Sequence, residues 1–276
     1  MSGAVSSTVS STGSGTGSNT PAAPGERPAL LLIHGLLGPI DYFAPARYLP
    51  GIDIHAPDMI GYGRRRSEEA GIDLASQADA LARYLREQIG RPAWLLGHSV
   101  GGAVAMMVAD REPELVRGLV SVEGNFTLRD AFWCARIAAL GEEEWAAEYG
   151  AMEDAPAAWL EKSGIEAYDE RIGWARDILA HQPYSTVQRM ARSVLETTGR
   201  PDWPDLVRRV LVRGTPLVLL GGEQSAAGWD VPEWVLAAAR QVLVQPKSGH
   251  MMMLEDPRNF CRIVGSIVSG DGGDAG

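Results

Sequence analysis

Short apolar runs alternate with amphipathic segments from residue 28 onward. Six of these runs are apolar on both faces, as expected for parallel strands that helices cover on each side. They are residues 29–33, 52–56, 93–96, 119–122, 217–220 and 242–244. Helical spacing of apolar positions predicts helices over residues 73–89, 100–111, 232–240 and 256–268. This alternation predicts an α/β fold with a doubly wound, mostly parallel sheet.

Residues 126–212 interrupt the alternation. They contain no convincing strand, several amphipathic helical segments and five of the eight tryptophans. Those five are Trp133, Trp145, Trp159, Trp174 and Trp203. We therefore expect an inserted helical cap over residues 126–212, with an α/β core formed by residues 26–125 and 213–276.

The first 25 residues differ in composition from the rest of the chain. They are nearly all Ser, Thr, Gly, Ala and Pro, without periodic apolar positions. Such a segment buries too little apolar surface to offset the entropy lost on ordering, so we expect a disordered tail over residues 1–25. The basic start and apolar stretch of a secretory signal peptide are both missing from it.

Composition and charge argue against several classes of protein. With 276 residues, 45% of them hydrophobic, the chain has enough apolar side chains for a packed core. Its formal net charge of −10 disfavours nucleic acid and anionic membranes as partners, because both attract clustered Lys and Arg. Every apolar run is far shorter than the ~20 residues of a membrane-spanning helix. Cys134 and Cys261 form neither a disulfide framework nor a zinc motif, which favours a cytoplasmic protein.

The strongest candidate for chemistry is Ser99. Residues 97–101 are Gly-His-Ser-Val-Gly and stand between a predicted strand and a predicted helix, the context that a G-x-S-x-G nucleophile elbow requires. A sharp turn from strand to helix holds the serine oxygen at the carboxyl edge of the sheet, beside the positive helix N-terminus. The sequence therefore predicts Ser99 as a nucleophile.

A serine hydroxyl needs a base to take its proton, and His250 is the best candidate among the five histidines. It follows the last predicted strand and is the last histidine in the chain, as the order Ser–acid–His requires. We assign the other four elsewhere: His34 to an oxyanion loop, His98 to a position pointing away from the serine, His55 to a strand and His181 to the cap.

The strand pattern alone leaves open the acid that orients the base. Carboxylates follow two predicted strands at the same sheet edge as Ser99: Glu123 after residues 119–122, and Glu223 after residues 217–220. A carboxylate at the position of Glu123 also suits the N-terminus of the first cap helix, where it would have a purely structural role.

At this point the chain resembles the α/β-hydrolase superfamily, in particular its capped serine-hydrolase branch. The resemblance covers residues 28–269 and rests on four motifs: 34–36 (His-Gly-Leu), 58–63 (Asp-Met-Ile-Gly-Tyr-Gly), 97–101 and 249–250 (Gly-His). Members usually carry a β-hairpin before the first motif, where this chain has its low-complexity tail. We therefore expect a sheet shortened by two strands at its N-terminal edge.

The resemblance also implies the remaining site residues. The backbone N–H groups of Leu36 and Val100 correspond to the oxyanion hole. Members usually carry Asp at the position of Ser225, and a serine cannot supply that negative charge. Some members instead place the acid directly after the strand that precedes the cap, which corresponds to Glu123. The alternatives that remain are Asp230 and Glu223.

Together these residues predict a serine hydrolase that cleaves a carboxylic ester, thioester or lactone through an acyl-enzyme on Ser99, without a cofactor or metal. Trp133 and Met251 are the predicted pocket-lining residues, and they suggest a small, moderately apolar or aromatic substrate. Two other classes stay open. One is a cofactor-free oxygenase of the same fold that uses His250 and its acid as a base, and the other is a non-catalytic ligand receptor. The pattern does not predict an oligomeric state.

Overall fold

Six parallel strands form one sheet in the computed structural model, which describes residues 27–270. The strands are β1 Ala29–Ile33, β2 Asp53–His55, β3 Ala93–His98, β4 Val116–Val122, β5 Leu217–Gly222 and β6 Gln241–Gln245. Their order across the sheet is β2-β1-β3-β4-β5-β6, and every neighbouring pair is parallel. All six predicted strands are present, and within the described residues the sheet is the parallel, shortened one that we expected.

The strand residues are apolar on both faces because helices cover both sides of the sheet. In β1, Leu31 packs into one buried cluster and its neighbour Leu30 into a second cluster on the opposite face. Successive side chains of a strand point to opposite faces, so one continuous apolar run contributes to both layers. Strand β6 forms an edge and is less covered, since Val242 and Val244 are about half exposed.

Helices α1 and α2 pack with one buried cluster, and α10 and α11 pack with the other. The helices outside the insertion are α1 Leu74–Tyr84, α2 Val100–Arg111, α9 Glu233–Ala238, α10 Met252–Glu255 and α11 Pro257–Ser269. Short 3-10 turns occur at Pro45–Arg47, Gly63–Arg65, Pro113–Leu115 and Ala226–Gly228. Asp73 caps the N-terminus of helix α1, because its side chain accepts the N–H of Ser76. The helix is shorter than predicted, because residues 85–89 continue as a π-helical segment.

Six helices lie between β4 and β5, and we refer to them as the helical insertion. They are α3 Phe132–Ala139, α4 Glu142–Asp154, α5 Pro156–Lys162, α6 Asp169–Ala180, α7 Tyr184–Thr198 and α8 Trp203–Val212. Buried tryptophans stabilise the packing of these helices. Trp145 donates its indole N–H to the carbonyl oxygen of Tyr184, and Trp203 donates to that of Phe126. These two indoles therefore belong to the core of the insertion.

The tail predicted over residues 1–25 lies outside the described residues. Within residues 27–270, no helix combines the length and the apolar composition that crossing a membrane requires. Cys134 and Cys261 are both buried as free thiols. Burial raises the pKa of each thiol to about 12, so both are held in the neutral, unreactive form.

Candidate active site

Ser99 lies in a strained turn between β3 and α2. Its backbone angles are φ 52° and ψ −122°, a combination that non-glycine residues rarely adopt. The turn is tight: a Cβ on Gly97 would lie 2.3 Å from the carbonyl oxygen of Gly101, and one on Gly101 would lie 2.3 Å from that of Ile33. Both positions therefore require glycine, and the turn places Ser99 at the sheet edge and at the N-terminus of α2.

The side chains of Glu123 and His250 meet at the same edge of the sheet. Nδ1 of His250 donates to Oε2 of Glu123 over 2.7 Å. The other carboxylate oxygen, Oε1, accepts the hydroxyl of Ser225 at 2.5 Å and the N–H of Gly222 at 2.8 Å. Glu123 directly follows β4 with φ 43°, and its side chain is 5% exposed. The carboxylate is thus fixed by two donors on one oxygen while the other faces the imidazole.

Glu123 is ionised despite its burial. Burial by itself raises the pKa of the carboxyl group, but the hydrogen bond and charge of His250, then the hydrogen bonds from Ser225 and Gly222, bring it below its usual value. An ionised carboxylate at Nδ1 requires that nitrogen to carry a proton. Nε2 of His250 is therefore left as the nitrogen that can accept one.

The two alternative acids have different partners. Oε2 of Glu223 accepts the N–H of Lys247, and Oδ2 of Asp230 accepts the hydroxyl of Thr127. Of the three candidates, all within residues 27–270, Glu123 alone is hydrogen-bonded to His250. The geometry therefore favours Glu123 as the acid.

The two candidate oxyanion donors have unused N–H groups. Val100 is the first residue of α2, and the first N–H groups of a helix have no acceptor within it. Leu36 lies in the loop after β1 and lines the same cavity as Ser99, and its N–H has no acceptor in the described chain. Its carbonyl oxygen accepts the hydroxyl of Tyr62 at 3.1 Å, which orients the peptide. Both N–H groups are thus available to an oxyanion.

A cavity of about 590 Å³ lies between the loops at the strand ends and the helical insertion. Ser99 and His250 line one part of it together with the loop after β1, and residues of α3, α4 and α5 line much of the rest. Both predicted pocket residues, Trp133 and Met251, are among its walls. The other apolar wall residues include Ala151, Met152, Ala155, Ala158 and Trp159. The cavity therefore suits an apolar group placed next to the serine.

The tryptophans of the insertion divide into two groups. Trp133 and Trp159 line the cavity, whereas the other three pack elsewhere; Trp174, for example, lies against Tyr42. Charged side chains also border the cavity. Arg136 and Glu148 form a bidentate ion pair with N–O distances of 2.6 and 2.7 Å, so their charges cancel locally.

We expected His98 to point away from the serine and to have no part in the site. Its ring lines the cavity and lies 4.7 Å from the ring of His250, centroid to centroid. Ser225 was likewise missed as the partner of Glu123. The signal in the sequence was that Ser225 stands where members of the α/β-hydrolase superfamily usually carry Asp.

The remaining histidines lie outside the cavity walls. His34 directly follows β1, and the centroid of its ring lies 4.4 Å from that of Tyr62. His181 of the insertion lies 3.2 Å from a carboxylate oxygen of Asp58, and thereby joins the insertion to the loop after β2. The neighbouring Gln182 accepts the N–H of Gly38 with its side-chain oxygen. The insertion is therefore attached directly to the loop that carries Leu36.

Curated proteins of related sequence match only part of the chain. A pimeloyl-[acyl-carrier protein] methyl ester esterase of Yersinia pestis is 37% identical over 105 residues, which is 37% of this chain and 39% of that protein. The chain spans only 35–39% of the length of the first curated relatives that it matches. These relatives therefore support a likeness over one part of the molecule.

Solved structures resemble the chain over most of its length. An esterase from Thermogutta terrifontis has a TM-score of 0.66 at 22% identity, covering 88% of this chain and 90% of that one. A putative epoxide hydrolase from Pseudomonas aeruginosa has a TM-score of 0.67 at 19% identity, covering 89% and 90%. At these identities the likeness shows the fold. The family model described as "Alpha/beta hydrolase family" matches residues 30–263. The chain therefore belongs to the alpha/beta hydrolase family.

Proposed function

We propose that the protein is a serine hydrolase that cleaves carboxylic esters, thioesters or lactones with a moderately apolar acyl group. The observation that carries this proposal is the 2.7 Å hydrogen bond between Glu123 and His250, at the cavity that Ser99 also lines. A buried carboxylate on Nδ1 makes the opposite nitrogen of the imidazole a base, and a serine in a nucleophile elbow is the group that such a base activates.

The reaction begins when Oγ of Ser99 attacks the acyl carbon and its proton passes to Nε2 of His250. The carbonyl oxygen becomes an oxyanion, which accepts hydrogen bonds from the N–H groups of Leu36 and Val100. Each such donor contributes about 3 kcal/mol to the transition state. The bond to the leaving oxygen or sulfur then breaks as Nε2 of His250 returns the proton to it, and the acyl group remains on Ser99.

Water completes the cycle. A water molecule gives one proton to Nε2 of His250 while its oxygen attacks the acyl carbon of the ester on Ser99. The second tetrahedral intermediate collapses, the proton returns to Oγ of Ser99, and the carboxylic acid leaves. Glu123 stays ionised throughout and stabilises the imidazolium in both halves.

The helical insertion acts, in this proposal, as a cap that provides the acyl pocket. Most of the side chains that it contributes to the cavity are apolar, which favours an uncharged acyl group. The printed name of the Yersinia pestis relative, a methyl ester esterase, supports an ester as the substrate. The esterase among the solved structures supports the same class.

The test combines p-nitrophenyl ester hydrolysis with labelling by a fluorophosphonate probe. Ser99→Ala should lower kcat/KM by at least about 10⁴-fold and abolish labelling, because no other nucleophile replaces the hydroxyl. Ser266→Ala, on α11, is the matched control and should keep both activities. Full ester turnover by Ser99→Ala would refute the proposal. Oxygen uptake that does not depend on Ser99 would identify the oxygenase instead, and a folded wild type without turnover or labelling would identify a receptor.

A further inference from the structure

His98 is a buried residue that precedes the candidate nucleophile in the chain and contacts the candidate base. It is the last residue of β3, is 7% exposed, and directly precedes Ser99. Nε2 of its ring lies 2.9 Å from the carbonyl oxygen of His250. This bond joins the central strand of the sheet to the loop after β6, across 152 residues of chain. It holds the backbone of the residue whose side chain must face the serine.

The hydrogen-bond partner determines the tautomer of His98. A carbonyl oxygen can only accept, so Nε2 of His98 must carry the proton and donate it to His250. The opposite nitrogen, Nδ1, faces the loop after β1, where a Cβ on Gly35 would lie 3.1 Å from it. The ring is therefore wedged between the loop that carries Leu36 and the loop that carries His250.

The ring of His98 also stays uncharged. Burial, and next the positive charge of the neighbouring His250, lower the pKa of His98 to about 3. The groups that act in the opposite direction are the carbonyl of His250 and the carboxylate of Glu123, and His34 adds a small further lowering. A neutral ring 4.7 Å from the ring of His250 imposes no charge repulsion when that residue takes up a proton.

We propose that His98 is a positioning residue, which holds the loop of His250 so that its imidazole faces both Glu123 and Ser99. This inference rests on the proposed function. The hydroxyl of Ser99 reacts only when Nε2 of His250 lies within hydrogen-bond reach, and misplacement by about 1 Å costs up to roughly a hundredfold in rate. The ring of His98 holds that loop by a donated hydrogen bond and by a tilted contact with the ring of His250, without touching the substrate's reacting atoms.

Two substitutions separate the hydrogen bond from the packing. His98→Gln keeps an N–H donor at a similar reach, and His98→Phe keeps a flat ring of similar size without a donor. We expect His98→Phe to lower kcat by about ten- to a hundredfold with little change in KM, because an unsatisfied carbonyl releases the loop. His98→Gln should retain kcat within about threefold of the wild type.

Two further readouts distinguish positioning from general stability. In His98→Phe, the downfield proton resonance of Nδ1–H bonded to Glu123 should weaken or disappear, and His98→Gln should preserve it. If His98→Phe does not fold, ¹⁵N spectra of the wild-type imidazoles still test the inference, because they must show the Nε2–H tautomer at His98.

The outcomes are distinct from those that test the proposed function. An Nδ1–H tautomer at His98, or equal kcat in His98→Phe and the wild type, would overturn the positioning role while Ser99→Ala remained inactive. Equal losses in His98→Gln and His98→Phe, with the resonance intact in both, would also overturn it, since packing alone would then explain the losses. Activity in Ser99→Ala would instead overturn the proposed function itself.

Discussion

Glu123 and His250 are 127 residues apart in the chain, yet Oε2 of one lies 2.7 Å from Nδ1 of the other. The sheet brings them together. Glu123 directly follows β4 and His250 follows β6, with only β5 between these two strands. Strand β5 ends in glycines, and a Cβ on Gly222 would lie 2.4 Å from the carbonyl oxygen of Gly249. The absence of side chains there lets the carboxylate reach across one strand to the imidazole.

The first prediction concerns the charge of Glu123. Glu123→Gln keeps the shape of the side chain but removes the negative charge that stabilises the imidazolium and selects its tautomer. We expect kcat/KM for p-nitrophenyl esters to fall by about 10⁴-fold, as is typical when a triad acid loses its charge. The controls are Glu223→Gln and Asp230→Asn, which should keep activity within about threefold. A loss confined to one of those controls would assign the acid there instead.

The second prediction concerns Ser225, whose hydroxyl donates to Oε1 of Glu123 over 2.5 Å. Ser225→Ala leaves a buried carboxylate oxygen with one donor fewer, and a bond to a charged group contributes about 1.5–3 kcal/mol. We expect kcat to fall by about tenfold with KM nearly unchanged. Ser225→Thr keeps the hydroxyl and should stay near the wild-type rate. If Ser225→Ala had wild-type kcat, the Gly222 N–H alone would suffice to hold the carboxylate.

The sequence predicts the individual strands better than it predicts which side chains from different strands lie in contact. The strands are readable because each is a short apolar run bounded by polar residues, and Ser99 is readable because its turn permits only glycine at two neighbouring positions. The acid depends on the lateral order of β4, β5 and β6, which no local pattern encodes. Glu123 could therefore be chosen among the three candidate carboxylates only from the resemblance to a family.

His98 illustrates the same limit at shorter range. Its place on the elbow predicts a ring that points away from Ser99, and no local pattern predicts the hydrogen bond that this ring donates to the carbonyl oxygen of His250. Tryptophan content was also an imprecise guide to the pocket. Trp133 and Trp159 line the cavity, whereas Trp145 is fully buried within the insertion. Composition indicates how much apolar surface a segment must bury. The place where that surface is buried depends on the faces through which the helices pack.

The third prediction concerns the loop that carries Leu36. The hydroxyl of Tyr62 donates to the carbonyl oxygen of Leu36, and this bond orients the peptide next to the candidate oxyanion N–H. Tyr62→Phe removes it with almost no change in volume. We expect kcat to fall by about three- to tenfold at constant KM, and the free energy of unfolding by about 1 kcal/mol. Tyr84→Phe, which removes a hydroxyl near His55, is the control and should affect stability alone.

The fourth prediction concerns the wall of the cavity formed by α4. Ala151 lines the cavity, whereas Ala147 lies on the same helix and is not among the wall residues. Both are exposed, so leucine is tolerated at either position without disturbing the helix. Ala151→Leu should raise KM for long-chain p-nitrophenyl esters by about tenfold and leave acetate hydrolysis unchanged. The same chain-length profile in Ala151→Leu and Ala147→Leu would place the acyl group elsewhere.

The fifth prediction is a loss of stability between pH 7 and pH 5. Burial, the largest cause, lowers the pKa of His34 from 6.5 to about 4, and likewise lowers that of His98 to about 3. As pH falls through 6.5, the unfolded chain binds protons that the folded protein still excludes, so the unfolded state is favoured.

The size of this effect follows from the shifts. Between pH 7 and pH 5, His34 alone lowers the free energy of unfolding by about 2 kcal/mol, and His98 adds a similar amount. The buried carboxylate of Glu123 has a pKa below its usual value, so its contribution is lost only at lower pH. Urea unfolding at intervals of half a pH unit measures the slope. His98→Gln should reduce that slope by about half, and a slope that is flat from pH 7 to pH 5 in the wild type would show that both imidazoles accept protons in the folded protein.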